Sequence, residues 1–204
     1  MSFGIPRCYA ERCLAKREAA RPAEREAADG CRPAGRTATL WDMVTTLVFL
    51  VRHAKAANRD VWTGGDRGRP LVERGRVQAD RLALALRHER PVLVAASPWL
   101  RCRQTAAPLA AAVGLQVELD DRLGYDAPDL AGWVRATAGE HPGEAVVGVS
   151  HGDLIPLYLL RARLVSGAPD FRTGSLYRLE VGPERVTSVT LVDRKELKRQ
   201  AERA

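Results

Sequence analysis

Apolar residues are spaced in two ways along this chain. Short, mostly apolar runs alternate with longer stretches in which apolar positions return every three or four residues. The runs 45–51 (TTLVFLV), 91–97 (PVLVAAS) and 144–150 (EAVVGVS) are rich in β-branched residues and predict buried strands. A weaker run, 115–123 (LQVELDDRL), predicts another strand between the last two. Helical spacing covers 71–89, 99–114, 130–141 and 153–165, with the second stretch broken near Pro108 and stopped by Gly114. The runs 174–181 and 186–193 read as a closing antiparallel pair. Strand and helix in alternation predict an α/β fold, a three-layer α/β/α sandwich with a mainly parallel sheet.

Both ends of the chain break this pattern. Residues 1–42 are rich in Ala, Arg and Glu, are interrupted by Pro6, Pro22 and Pro33, and offer no continuous apolar face. A disordered or loosely helical arm is expected there. Because the strand pattern starts directly after Met43, an alternative expectation is that translation begins at Met43 and the arm is not native. Residues 43–193 then form one domain, and the charged stretch 194–204 forms a frayed helical tail.

Composition narrows the partners. The chain has 204 residues, and 46% of them are hydrophobic, enough for one sizeable core. With 32 basic and 25 acidic side chains, the net charge of +7 favours anionic ligands. The basic residues are dispersed and aromatics make up only 5%, which argues against nucleic acid. No apolar run approaches the roughly 20 residues of a membrane span, and the first 20 residues are interrupted by charge, unlike a signal peptide. Cys8, Cys13, Cys31 and Cys102 form no CxxC pair and have no adjacent histidine, so no metal is expected. A reducing, cytoplasmic location follows as an expectation.

Three predicted strands end in unusual polar residues. The first runs into Arg52 and His53, the second into SPWLR with Arg101, and the run 144–150 into SHGD with His151. Ligands of open α/β sheets sit beyond the carboxyl ends of the parallel strands. Two histidines and two arginines would therefore share one crevice, with helix N-termini adding N–H groups. That set suits a phosphoryl dianion. A histidine attacks phosphorus through a neutral ring nitrogen, and neighbouring guanidinium groups disfavour the imidazolium. Arginines match the equatorial oxygens of the transferring group. His88 and His141 lie in a charged helix end and a loop, and read as surface residues.

VRHAKA, SPWLRCRQTA and VVGVSHGD resemble the three signature segments of the histidine phosphatase superfamily, the phosphoglycerate mutase-like proteins. Ala54 stands where the first segment normally has glycine. The resemblance covers about residues 45–192 and implies that His53 is the nucleophile of a phosphohistidine intermediate. It also implies that Arg52, Arg101 and His151 form the phosphate pocket, with Ser97 and Thr105 structural. The stretch RDVWTGGDRGRPLVERGRVQA is similar to the phosphatase half of two-domain Nudix hydrolases and to small phosphohistidine phosphatases. It makes Arg59 a further anion contact and Lys55 and Arg69 weaker ones. The family's general acid has no clear counterpart. Gly124 occupies the expected place, and Asp126 is preferred over Asp121. The expected function is a phosphatase that needs no cofactor and hydrolyses a phosphate monoester or phosphohistidine. Its partner is a phosphorylated small molecule or a phosphohistidine protein. Alternatives are a non-catalytic phosphate-binding adaptor and a mutase-type phosphotransferase.

Overall fold

The computed structural model describes residues 44–170, 172–193, 195–197 and 199. The arm 1–42 with its alternative start, and most of the tail 194–204, lie outside the described residues. Six strands form one sheet: β1 (Thr46–Arg52), β2 (Leu93–Ala96), β3 (Val117–Leu119), β4 (Ala145–Ser150), β5 (Leu176–Val181) and β6 (Val186–Leu191). Their order is β3-β2-β4-β1-β5-β6. The first four strands in this order run parallel, and β5 and β6 add an antiparallel edge. Four helices connect them: α1 (Glu73–Leu86), α2 (Leu100–Ala112), α3 (Leu130–Glu140) and α4 (Leu154–Arg161).

The apolar runs bury both faces of the central strands. Phe49 and Val51 of β1 share one core with Val147 and Val149 of β4, Leu82 and Leu86 of α1, and Ala106 and Leu109 of α2. Val48 and Leu50 face the other way, toward Trp133 of α3 and Ile155 and Leu159 of α4. The expected α/β/α sandwich is therefore the observed one.

Local chemistry moves several boundaries. Helix α2 is continuous, and the break expected at Pro108 does not occur. A proline inside a helix costs ~3 kcal/mol. Pro108 lies on the outer face, while Cys102, Ala106, Leu109 and Ala110 bury the inner face against the sheet. Helix α4 ends at Arg161 rather than running to 165. Arg163 adopts a left-handed φ of 53°, and the N–H groups of Arg163 and Leu164 return to the carbonyls of Leu160 and Leu159. The strand expected over 115–123 shrinks to Val117–Leu119, because the Asp120 carboxylate accepts from Arg122 N–H and starts a turn at Asp121–Leu123.

Candidate active site

The sheet order sets the site. Strand β4 lies between β1 and β2, so the three polar strand ends are neighbours at one edge. Register brings them level: Arg52 pairs with Ser150, and His53 N–H continues the ladder to the Ser150 carbonyl at 2.9 Å. His53 and His151 end up with ring centroids 5.6 Å apart, close to the spacing of adjacent strands. Ser97 N–H bonds to the Val149 carbonyl at 3.0 Å and fixes the end of β2 beside them.

Arg101, on the first turn of α2, joins the two imidazoles. It is 1% exposed. Its Nε–H donates to His53 Nε2 at 3.2 Å, and an Nη2–H donates to His151 Nδ1 at 3.3 Å. Nη1 donates to the Asp66 carbonyl at 2.9 Å, and the guanidinium lies over the Trp99 ring, 4.6 Å from its centre.

These partners fix both tautomers. His53 Nδ1 is 2.8 Å from the Ala54 carbonyl, which accepts only, so Nδ1 carries the proton and Nε2 the lone pair. His151 accepts at Nδ1, so Nε2–H donates to Ser97 Oγ at 2.9 Å. Both rings are held neutral. Burial first, with Arg101 and Arg52 adding repulsion against the Ala54 carbonyl, pushes His53 down to about 4. Burial and then Arg101 push His151 down to about 2.

The cleft beside these groups has a volume of about 560 Å³. Arg52, His53, Lys55, Arg59, Arg69 and Arg101 all line it, so the structure gathers most of the residues singled out in the sequence. His151 lies beneath, stacked at 4.1 Å from Tyr125, which does line the cleft. Asp126 is the exception. Its carboxylate pairs with Arg67 at 3.0 Å on exposed side chains, and it is not among the lining residues. The two-residue offset from Gly124 turns it outward, while Tyr125 turns in. The other weighed candidate, Asp121, starts the turn after β3 and does not line the cleft either.

Three residues that sequence reading passed over shape the cleft. Asp66 bonds Arg69 at 2.6 Å and Arg59 at 3.1 Å and lies 3.6 Å from Arg101. Burial works against its charge, but the Arg69 hydrogen bond and the nearby guanidiniums hold its carboxyl below the usual range. Its place three residues before Arg69, in a Gly-flanked turn, was the available signal. Gly152 lets Arg52 lie against the chain, since a Cβ there would fall 2.2 Å from Arg52 Cζ. Asp153 caps α4 by accepting from Leu154 N–H, and its Oδ1 also accepts from Tyr125 Oη at 2.6 Å. Ser97 and Thr105 each bond across neighbouring elements, Ser97 Oγ to His151 Nε2 at 2.9 Å. Thr105 Oγ1 donates to the Arg101 carbonyl and accepts from Ala54 N–H at 3.0 Å, tying α2 to the loop after β1.

Comparison with known proteins reaches the same segments. Residues 48–124 match the Histidine phosphatase superfamily (branch 1). The chain is 42% identical over 66 residues to an 8-oxo-(d)GTP phosphatase of Mycolicibacterium smegmatis. That match takes in 32% of this chain and only 20% of the relative's length. Among solved structures, a candidate phosphohistidine phosphatase SixA from Agrobacterium tumefaciens is 30% identical, with a TM-score of 0.52 over 72% of this chain and 96% of that one. The protein histidine phosphatase SixA, solved with tungstate, is 26% identical, with a TM-score of 0.56 over 72% of this chain and 94% of its own. Sequence identity and shared architecture run together over nearly the whole length of these small proteins, and so the chain belongs to the histidine phosphatase superfamily.

Proposed function

We propose that this chain is a metal-independent phosphatase, acting on a phosphate monoester or phosphohistidine through a phosphohistidine formed on His53. The observation that carries the reading is the tautomer of His53. Its Nδ1–H is held by the Ala54 carbonyl, and a neutral Nε2 faces the guanidinium of Arg101. An incoming phosphoryl group attracts Arg101 and Arg52 to its oxygens and leaves the His53 Nε2 lone pair to attack phosphorus, while His151, once Arg101 turns to the substrate, can take a proton at Nδ1 and donate it to the same oxygens. Water then attacks the phosphohistidine and releases phosphate. The arginines supply the positive charge that the transferring group needs. Arg59 and Arg69, already near the cleft, add to the attraction, and Lys55 stands at its edge. No step is assigned to Asp126.

Two relatives above 25% identity are named for phosphohistidine phosphatase activity, and one is bound to tungstate, an oxyanion shaped like phosphate. Among the described residues, no helix is long and apolar enough to cross a membrane. We place the protein in the cytoplasm, where the buried thiol of Cys102 stays reduced.

Hydrolysis of p-nitrophenyl phosphate by the full chain, with and without EDTA, tests the reading. The expected result is turnover indifferent to the chelator and reduced to background in His53→Ala. Wild-type protein quenched during turnover should carry an acid-labile phosphate on the peptide containing His53. Equal turnover by wild type and His53→Ala overturns the proposal.

A further inference from the structure

The cleft does not end at Lys55. Lys55 and Thr173 also line a smaller cavity of about 240 Å³, completed by Arg74, Gln78 and Arg172. Thr173, Arg74 and Gln78 in turn border a third cavity of about 520 Å³, with Val77, Leu82 and Leu197 among its walls and Arg81 and Lys195 at its sides. The three cavities form a chain of neighbours, linked by shared walls, that leads away from His53.

The middle cavity is built to hold positive charge. Arg172 is neutralised by Asp170, which it meets at 2.7 Å. The side chains of Lys55 and Arg74 make no hydrogen bond or ion pair with another described residue. Backbone contacts nevertheless hold the two close together. Lys55 N–H donates to Gln78 Oε1 at 2.9 Å, and its carbonyl accepts from Val72 N–H at 3.1 Å. Gly75 permits this approach, since a Cβ there would fall 2.0 Å from the Lys55 oxygen. Among the described residues, none that lines the middle or the third cavity is acidic.

The cleft itself is poor in proton donors for a leaving group. Asp153 is the one carboxylate among its described lining residues, and its Oδ1 is engaged by Tyr125 and Leu154. A leaving group that departs without a proton suits such a site. One that also carries negative charge suits the cations beside it.

We propose that Lys55 and Arg74 form a second anion subsite for the leaving group, so that the substrate is an organic diphosphate whose terminal phosphoryl group is removed. This deepens the phosphatase reading and rests on it. The Nε2 lone pair of His53 forms a bond to the terminal phosphorus while the bond to the bridging oxygen breaks. That oxygen keeps the electron pair and leaves as part of a phosphate monoester, which holds no second proton above a pH of about 6. Water then forms a new bond to phosphorus, the N–P bond returns its pair to Nε2, and the protons of water leave with phosphate or pass to solvent. The organic body extends toward the third cavity, where Val77, Leu82 and Leu197 offer an apolar surface.

The test compares ADP with p-nitrophenyl phosphate, whose leaving group departs readily but carries no second phosphate. The expected kcat/KM is higher for ADP, and Arg74→Ala lowers the ratio of the two efficiencies by roughly tenfold, the size of one charge-assisted contact. In His53→Ala, which cannot form the phosphoenzyme, ADP should bind more tightly than inorganic phosphate, and adding Arg74→Ala should remove the difference. Turnover of p-nitrophenyl phosphate with no preference for ADP, or an unchanged ratio in Arg74→Ala, overturns the subsite and leaves the phosphatase. Preference for a phosphohistidine protein with no effect of Arg74→Ala does the same. No turnover of any substrate, with Arg74-dependent binding of ADP intact, overturns the phosphatase and leaves the subsite.

Discussion

Arg101 commits its whole guanidinium inside the protein, to His53, His151, Asp66 and the face of Trp99. A lysine has one compact ammonium and cannot serve these directions together. Arg101→Lys should therefore lower kcat/KM by about 100-fold, close to the effect of removing a preorganised donor. Steady-state assay beside a thermal melt separates this from unfolding. The two neutral histidines predict a pH dependence with a definite sign. An unfolded histidine gains its proton near 6.5, whereas folded His53 resists until about 4. Between these values the unfolded chain binds more protons, so stability is complete above about 6.5 and falls as the pH drops toward 4. Urea unfolding at stepped pH should show the midpoint falling over that window, with a shallower fall in His53→Gln. A midpoint that stays constant from neutral pH down to 5 would contradict the assignment of a neutral ring. At this scale the sequence was informative about groups that carry charge. Arg52, His53 and His151 announce themselves by standing at strand ends, and Arg101 by opening the helix that follows one. Asp66 and Gly152 did not, because their roles depend on a loop folding back and on empty space where a Cβ would sit.

At the scale of elements, two glycines separate chemistry from packing. A Cβ at Gly152 would meet Arg52 Cζ at 2.2 Å, and a Cβ at Gly148 would meet Trp133 Cη2 at 2.5 Å. Gly152→Ala should displace the Arg52 guanidinium, raising KM for phosphate esters several-fold with little change in melting temperature. Gly148→Ala overfills the core between β4 and α3, and such overpacking costs ~1–3 kcal/mol. Its melting temperature should fall while kcat of the folded fraction stays near wild type. Strands buried on both faces were legible because their apolar runs have no polar partner face. Helix limits were not. Pro108 obeys tertiary burial over local preference, and the end of α4 depends on a left-handed Arg163, which propensity disfavours. Strand β3 is short for a similar reason, since its polar continuation closes a turn through Asp120.

Across the whole molecule, the cationic residues of the cleft and the net charge of +7 act in the same direction. Anionic substrates should be drawn in, and the attraction screened once the Debye length shrinks from about 10 Å at 0.1 M salt to about 3 Å at 1 M. The expected outcome is a fall in kcat/KM with added salt at nearly constant kcat. A neutral competing solute of matched viscosity should not reproduce it. The architecture was readable from the alternation of periods, and the meeting of three segments followed from the rule for parallel strand ends. The cavities leading away from His53 were not readable, since Lys55, Arg74 and Thr173 come from separate loops and a helix end.

Cys102 is fully buried under the sheet, with Sγ 3.7 Å from His151 Nε2, and burial pushes its thiol up to about 12. An alkylating reagent therefore reaches it only when α2 lifts from β4, and the labelling rate at this one position, mapped by peptide mass, clocks that opening. A bound oxyanion that braces Arg101 should slow the clock, so occupancy of the cleft beside His53 can be followed without any turnover at all.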